Sequence, residues 1–462
     1  MAECAPYDVL IVGGGPAGQA AALRLHGAGL KIGVVDEQPR PGGQILRQPP
    51  ATFVAADWME ERSYRPLKRQ LGRFEAAPDV EWLGGSSVLG IEPGSAPGVH
   101  GLTVATPEGA TGIRTRRLLV ATGCYDMPLP LAGWTLPGLF TTGGLQAFVK
   151  SQGFVPGQRI VLVGTHPLQL LVARQVLQAG GRVERVVFVQ PRSALLRPFL
   201  RRAGGGLVGG NALLAAARAW RDLGAAGTKV AFGLKPVRVA GEQHVSGLVL
   251  ARSDGTEEHL ECDAVGLCFG FLPQSDLPRM AGLAMERQGR LRAFSARHDE
   301  WMESDVAGIF VAGETTGVAG ADAACVKGAL AGLGMLHSLG RISEPSARKE
   351  AAPLRRRLAR LLAFADLLDR VADPSGCYPE VDDQTILCRC EDVTYGSVRA
   401  ALGTCGSANA VKLLTRCGMG PCQGRNCEFS LLRLMHGPSR CEDAGFTVRF
   451  PVRPVPIGDL TG

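Results

Sequence analysis

The stretch Tyr7-Asp8-Val9-Leu10-Ile11-Val12-Gly13-Gly14-Gly15-Pro16-Ala17-Gly18 decides how this chain is read. Asp8 to Val12 is a short apolar run of the kind buried on both faces of a parallel sheet. The glycines after it are spaced G-x-G-x-x-G, and the Ala- and Leu-rich segment Gln19 to Ala28 reads as a helix ending at Gly29. Lys31 to Val35 supplies a second strand and closes a βαβ unit. Gly13 permits the tight turn, Gly15 lets backbone approach a pyrophosphate, and Gly18 lets helix and strand pack closely. The helix N-terminus offers phosphate unpaired N–H groups and a favourable dipole, and Pro16 and Ala17, within the glycine motif, are counted with the cofactor-binding residues. Asp36, 18 residues after Gly18, ends the second strand where a carboxylate can accept from ribose hydroxyls. The adjacent Glu37 can share that role.

A second unit begins near Arg159, with strand Ile160 to Val163, helix Leu168 to Ala179 and strand Arg185 to Val189. Its turn reads Gly164-Thr165-His166-Pro167-Leu168-Gln169, so His166 and Gln169 stand where the second and third glycines would be. Both side chains would fill space that a pyrophosphate needs, and poor or absent NAD(P)H binding is expected. Near Gly308 a further strand, Ile309 to Ala312, leads into Gly313-Glu314 and a long Ala/Gly-rich helix. The expected fold class is α/β, with two Rossmann-like domains and a small helical C-terminal domain. This order resembles that of flavoproteins with two dinucleotide-binding domains, in which the second is inserted within the first. On that reading residues 1–125 and 290–343 form the first domain and 126–289 the second. A linker helix spans 344–380, a cysteine-rich domain 381–440 and an extended tail 441–462.

Totals exclude several classes. The net charge of +7 over 462 residues is too diffuse for nucleic acid, which needs a concentrated basic stripe. The longest charge-free stretch, Met127 to Val149, holds three prolines and several glycines and cannot be a membrane helix. A strand starting at Tyr7 leaves no room for a signal peptide, and a cytoplasmic location is expected. After Gly340, Leu354, Leu358, Leu361, Ala365 and Leu368 recur at helical spacing, which reads as a linker helix packed on its own protein. Arg192 to Gly227, with Gly204-Gly205-Gly206 inside it, reads as an insertion with helical pieces.

The thirteen cysteines are crowded toward the C-terminus. Cys388, Cys390, Cys417, Cys422 and Cys427 fall within 40 residues, which in an intracellular protein points to metal or redox chemistry rather than disulfides. Cys388-x-Cys390 and Cys422-x₄-Cys427 make two pairs with 31 residues between them. Two helices, one capped by Thr394 and the other by Ser407, are expected between the pairs. Four thiolates gathered this way suit an iron–sulfur cluster, with tetrahedral zinc and an empty or disulfide-bonded site as the rivals. Cys417 is close enough to substitute as a ligand, though packing is its simpler role. No C-x-x-C or C-x₄-C of a redox-active disulfide accompanies either glycine turn.

The spacing of the cysteines resembles the bacterioferritin-associated ferredoxin type of [2Fe–2S] domain, departing from it in the second pair, C-x₄-C against C-x₂-C. Arg40-Pro41-Gly42-Gly43-Gln44, Ala121-Thr122-Gly123 and Gly313-Glu314 look like the further FAD contacts of thioredoxin-reductase-like flavoproteins. There Gly43 and Gln44 would lie near the flavin, Ala121, Thr122 and Gly123 would cross between domains, and Glu314, in place of the commoner Asp, would meet the ribityl chain. Three longer stretches are similar to the FAD subunit of heteromeric amine dehydrogenases: Ala121 to Asp126, Gly133-Trp134-Thr135-Leu136-Pro137-Gly138 and Gly313 to Gly320. Thr415-Arg416-Cys417-Gly418-Met419-Gly420-Pro421-Cys422-Gln423-Gly424-Arg425 is the fourth. That family includes opine oxidases, D-hydroxyproline dehydrogenase and hydrogen cyanide synthase.

The resemblance implies FAD, a [2Fe–2S] cluster and room for an FMN at a subunit interface. It implies a D-amino-acid-oxidase-like flavoprotein partner that oxidises the C–N bond, a small ferredoxin-like subunit, and a quinone or other acceptor. Any membrane contact would then be peripheral and made by the complex. No catalytic acid or base is named in this chain. A self-contained NAD(P)H-dependent ferredoxin-type reductase and a non-catalytic redox sensor are the alternatives.

Overall fold

The computed structural model describes residues 5–50, 52–53, 64–94, 98–195, 210–437 and 444–460; the triple glycine at 204–206 lies outside them. The first glycine turn sits in a sheet built from β1 (Tyr7–Val12), β2 (Ile32–Asp36), β3 (Val80–Gly84), β4 (Ser87–Glu92), β5 (His100–Thr106) and β6 (Gly109–Val120). Their order is β3-β2-β1-β6-β5-β4, parallel from β3 to β6 and antiparallel beyond, and Ile309–Val311 returns late in the chain to pair with β6. Successive side chains of a strand face opposite sides. Val9 and Ile11 therefore enter one core with the helices, while Leu10 and Val12 enter another with Leu102, Val104 and Leu118.

The chain then crosses through β7 (Cys124–Asp126) into a second, wholly parallel sheet. Its strands are β8 (Leu139–Thr141), β9 (Ile160–Gly164), β10 (Val183–Phe188), β11 (Lys229–Phe232) and the later strand Ala264–Cys268, in the order β11-β10-β9-Ala264–Cys268-β8. In chain order the helices before the cysteine-rich end include α1 (Pro16–Leu25), α2 (Arg65–Glu75), α3 (Thr142–Gln152), α4 (Leu168–Gln178), α5 (Gly210–Ala225), α6 (Asp276–Met280), α7 (Ala321–Ser338) and α8 (Glu344–Val371). Helix α1 begins three residues before the sequence pattern places it. Pro16 opens it, its φ preset for the helix and its missing N–H no loss in the first turn.

Small residues let α1 and α7 nearly touch. A Cβ at Gly328 would lie 2.0 Å from the Ala17 carbonyl oxygen, so α7 carries glycine where it crosses α1. Helix α8 packs on its own protein as expected, burying Ala347 and Ala351 and laying Leu354, Leu358 and Leu361 on the same core. The tail docks: Val452 is buried, and its N–H donates to the Leu89 carbonyl at 2.9 Å.

The cysteine-rich end forms a small helical unit. Helices Tyr395–Leu402 and Ala408–Thr415 are capped by Thr394 and Ser407, whose hydroxyls accept from Ser397 N (3.2 Å) and Ala410 N (3.3 Å). A third helix, Glu428–His436, lies beyond those expected from the sequence and buries Leu431 and Leu432. No helix among the described residues is long and apolar enough to cross a membrane.

The tightest glycine of the first turn is Gly18, where a Cβ would fall 1.9 Å from the Gly13 carbonyl oxygen. Neither atom belongs to a flexible side chain. Gly18→Ala is expected to cost about 1–3 kcal/mol through overpacking. Thermal unfolding of the variant checks this, and an unchanged midpoint would mean the turn relaxes freely.

Candidate functional site

Around the first glycine turn, backbone closes on backbone. Gly13, at φ +110°, could not carry a Cβ, which would lie 2.3 Å from the Ala121 carbonyl oxygen. Gly15 faces Gly43: a Cβ on Gly43, at φ +62°, would sit 2.8 Å from the Gly15 Cα. Gly42 N–H donates to the Gly14 carbonyl at 3.0 Å, which draws segment 41–46 over the N-terminus of α1, where Pro16 and Ala17 lie. The Gln44 side chain accepts from Arg47 at 3.0 Å. Asp36 turns inward, its Oδ2 accepting from Gly14 N (2.6 Å) and its Oδ1 from Gln38 N (2.7 Å). Burial raises its pKa against the lowering effect of those two bonds. Asp36 thus braces the glycine turn, with lone pairs left over for a ribose. Glu37 does not join it; that carboxylate pairs with Arg453 of the tail.

The crossover turn completes the cradle. Thr122 Oγ1 lies 3.2 Å from Thr315 Oγ1 and donates to the Gln274 carbonyl at 3.2 Å, while Gly123 N–H donates to Thr315 Oγ1 at 3.0 Å. Gly313 abuts α1, where its Cβ would meet that of Ala17 at 2.9 Å. Glu314 accepts from the Cys124 thiol at 2.9 Å and from Gly320 N at 3.1 Å. Burial, then the Glu314 charge, pushes the Cys124 thiol well up, so it stays protonated. Sequence reasoning missed Lys327. Its buried Nζ donates to the carbonyls of Gly313 (3.3 Å), Thr316 (3.2 Å) and Gly317 (3.2 Å), and burial pushes its pKa down to about 8. The signal was a single cation inside the otherwise small and apolar run Ala323 to Leu333.

The second glycine turn is built differently. The N–H groups of Thr165 and His166 both donate to the Cys268 carbonyl, at 2.9 and 3.0 Å. The half-buried His166 ring packs edge-on against Phe271 (5.3 Å), accepts from Leu168 N at 3.2 Å and is pushed down to about 4 by desolvation, which keeps it neutral. Gln169 Nε2 donates to the Gly164 carbonyl at 3.4 Å.

At the cysteine-rich end the thiols separate into a trio and a pair. The Sγ atoms of Cys388, Cys417 and Cys427, all buried, lie within 4.8 Å of one another. Cys390 instead hydrogen-bonds Cys422. Hydrogen bonds from Cys417 and then Cys427 pull the Cys388 thiol down, and the same bonds raise its two partners. Of the sequence quartet, Cys388 and Cys427 thus share their buried group with Cys417. Gly418 N–H points at Cys388 Sγ (3.5 Å), and a Cβ on Gly420 would lie 2.2 Å from that of Cys390. Loop 417–427 thus lies directly on the Cys388–Cys390 segment.

This unit is clamped to the crossover turn. Arg425 donates to the Cys422 carbonyl (3.3 Å) and pairs with Asp276 (2.6 Å). With the Gln274 amide oxygen facing Arg425, it accepts from Nε at 2.9 Å and Nη2 at 3.0 Å. Gln274 N–H in turn donates to the Gly123 carbonyl at 2.8 Å. Beside this link Arg279 grips Glu428 through two bonds (3.1 and 3.0 Å), and Trp134 Nε1 donates to the Ile386 carbonyl at 2.7 Å.

Comparison with known proteins agrees with this geometry. The profile of the pyridine nucleotide-disulphide oxidoreductase family matches residues 7–329. An opine oxidase subunit of Rhizobium meliloti (strain 1021) is 35% identical over 98% of this chain and 98% of its own length. Hydrogen cyanide synthase subunit HcnB of Pseudomonas protegens is 30% identical over 97% of this chain and 96% of its own. Among solved structures, L-proline dehydrogenase from P. horikoshii superposes with a TM-score of 0.70 at 20% identity, covering 99% of this chain and 80% of that one. Thioredoxin reductase from T. acidophilum superposes at 0.54 and 17% identity, over 72% of this chain and 99% of that one. These two likenesses establish a thioredoxin-reductase-like fold. The chain belongs to the pyridine nucleotide-disulphide oxidoreductase family, among the flavin-dependent oxidoreductases that include subunits of opine oxidase and of hydrogen cyanide synthase.

Proposed function

We propose that this chain is the FAD- and [2Fe–2S]-carrying electron-transfer subunit of a heteromeric dehydrogenase acting on the C–N bond of an opine or a D-amino or imino acid. The observation that carries the reading is the bonded link from the Cys422 carbonyl through Arg425 and Gln274 to Gly123, which joins the cysteine loops to the turn between the two dinucleotide units. A soft donor set of thiols suits an iron–sulfur centre. The glycine turn, with its helix start and close backbone approach, suits a pyrophosphate. Flavin and cluster, when bound, supply two-electron and one-electron exchange; the chain's own residues bind and orient them.

In this reading Gly13, Gly15, Pro16, Ala17 and Gly18 hold the pyrophosphate, and Asp36 the ribose side, with Glu37 at its rim. Gly43, Gln44, Ala121, Thr122, Gly123, Gly313 and Glu314 surround the flavin end. Cys388, Cys390, Cys422 and Cys427 are the cluster ligands. The chain divides as 1–125 with 290–343, 126–289, 344–380, 381–440 and 441–462. Substrate oxidation belongs to a D-amino-acid-oxidase-like partner, with an FMN at the interface, a small ferredoxin-like subunit and a quinone or similar acceptor, in the cytoplasm. The two relatives are named as subunits, one of opine oxidase and one of hydrogen cyanide synthase, which supports membership of a multi-subunit enzyme.

The test is the visible spectrum of anaerobically purified protein with flavin and iron quantified, before and after NADH or NADPH. Expected are FAD and about two irons per chain, with a spectrum that neither nucleotide alters. Rapid bleaching by a nucleotide would make the chain a reductase in its own right, and absence of flavin would overturn the reading.

A further inference from the structure

The second βαβ unit is already occupied. Helix α8 ends at Val371, and its last carbonyls have no partner within the helix. They are received by the turn where a nucleotide would bind. Thr165, the residue after Gly164, donates its hydroxyl to the Ala372 carbonyl at 2.6 Å. The buried Gln190 amide donates to the Val371 carbonyl at 2.8 Å and to the Thr165 carbonyl at 2.7 Å. One side chain thus ties the helix end to the glycine turn.

The other recognition position has changed in the same direction. In the first unit Val35 pairs with Val12, so Asp36 comes level with Gly13 at the head of the turn. In the second, Phe188 pairs with Gly164 and so takes the place of that carboxylate, fully buried in the core. A helix C-terminus also carries negative partial charge, the wrong sign beside a pyrophosphate. The chain continuing from α8 is held as well: Arg290 N–H donates to Asp369 at 2.9 Å, and Cys377 is buried in the core of the second unit beside Val163 and Val187.

We infer that this unit has become the receptor for the chain's own helix end, and that Thr165 and Gln190 set its specificity by holding Val371 and Ala372 where a pyridine nucleotide would lie. Exclusion is by occupancy, so restoring the lost glycines does not restore binding. The docked end also fixes the start of the connection to the cysteine loops, which is held to the second unit again where Trp134 donates to the Ile386 carbonyl. This occupancy is independent of the proposed function, since it concerns only protein–protein contacts within the chain.

Two full-length variants test it. Thr165→Val/Gln190→Ala removes the dock without altering the glycine positions. Hydrogen–deuterium exchange across residues 366–380 is expected to rise on the order of tenfold or more, about what losing these bonds implies, while residues 7–36 stay unchanged. His166→Gly/Gln169→Gly restores the glycines; titration with NADH, followed by its fluorescence, is expected to show no binding up to millimolar concentration. NADH binding to that variant with exchange across 366–380 unchanged would overturn the inference. So would unchanged exchange in the first variant, which decides the matter even where the second fails to fold.

Discussion

Cys388→Ser and Cys427→Ser are each expected to abolish iron binding, taking the chain from about two irons to none. Both residues belong to the sequence quartet and to the buried trio, so the outcome does not depend on which set holds the metal. The discriminating variants are Cys390→Ser and Cys417→Ser. With the quartet as ligands, Cys390→Ser loses iron and Cys417→Ser keeps it. The reverse pattern would transfer the role to Cys417, which sits with Cys388 and Cys427 while Cys390 turns to Cys422. Iron quantification with the visible spectrum reads the result. Circular dichroism separates ligand loss from unfolding, because a hydroxyl buried without a partner costs about 1–3 kcal/mol by itself.

Arg279→Ala is the second large effect. The Arg279 and Glu428 side chains are only 10% and 15% exposed, and their two bonds join α6 to the helix that follows Cys427. Arg279 also donates to the carbonyls of Ala444 and Phe446, and Glu428 accepts from Phe446 N at 2.6 Å. Removing the cation leaves Glu428 buried without its counter-charge, at a cost of about 3–5 kcal/mol. The loss should be local. Urea unfolding is expected to show the cysteine unit melting before the two sheets, with proteolysis starting between 386 and 446. A loss under about 1 kcal/mol, or a single unfolding step at the native midpoint, would mean the unit is held by its apolar contacts instead.

Several features were legible because their physics is local. Gly13, Gly15 and Gly18 announce a βαβ turn, since only glycine tolerates those backbone approaches, and β1, β2 and α1 follow from periodicity within 30 residues. The same holds for the caps at Thr394 and Ser407, where a short polar side chain meets the next N–H groups. The second βαβ turn was legible in the same way, with His166 and Gln169 standing at its second and third glycine positions. Leu413 and Leu414 show the limit. They lie in the helix whose Ser407 cap the sequence announced, yet both point outward, 72% and 64% exposed, because a unit this small buries only one narrow stripe.

What the sequence by itself determined, then, is the pair of βαβ units, the glycine cradle and the crowding of thiols, all set by contacts between near neighbours in the chain. Tertiary structure alone decided the pairing of Glu37 with Arg453, the bracing of the Gly313 loop by Lys327 and the placing of Cys417 beside Cys388. It also decided that Val371 and Ala372 close the second turn and that Arg425 reaches Gln274. Each of these joins residues that no periodicity relates: a buried charge or an unpaired carbonyl must find a partner, and only the packed fold determines which one is within reach.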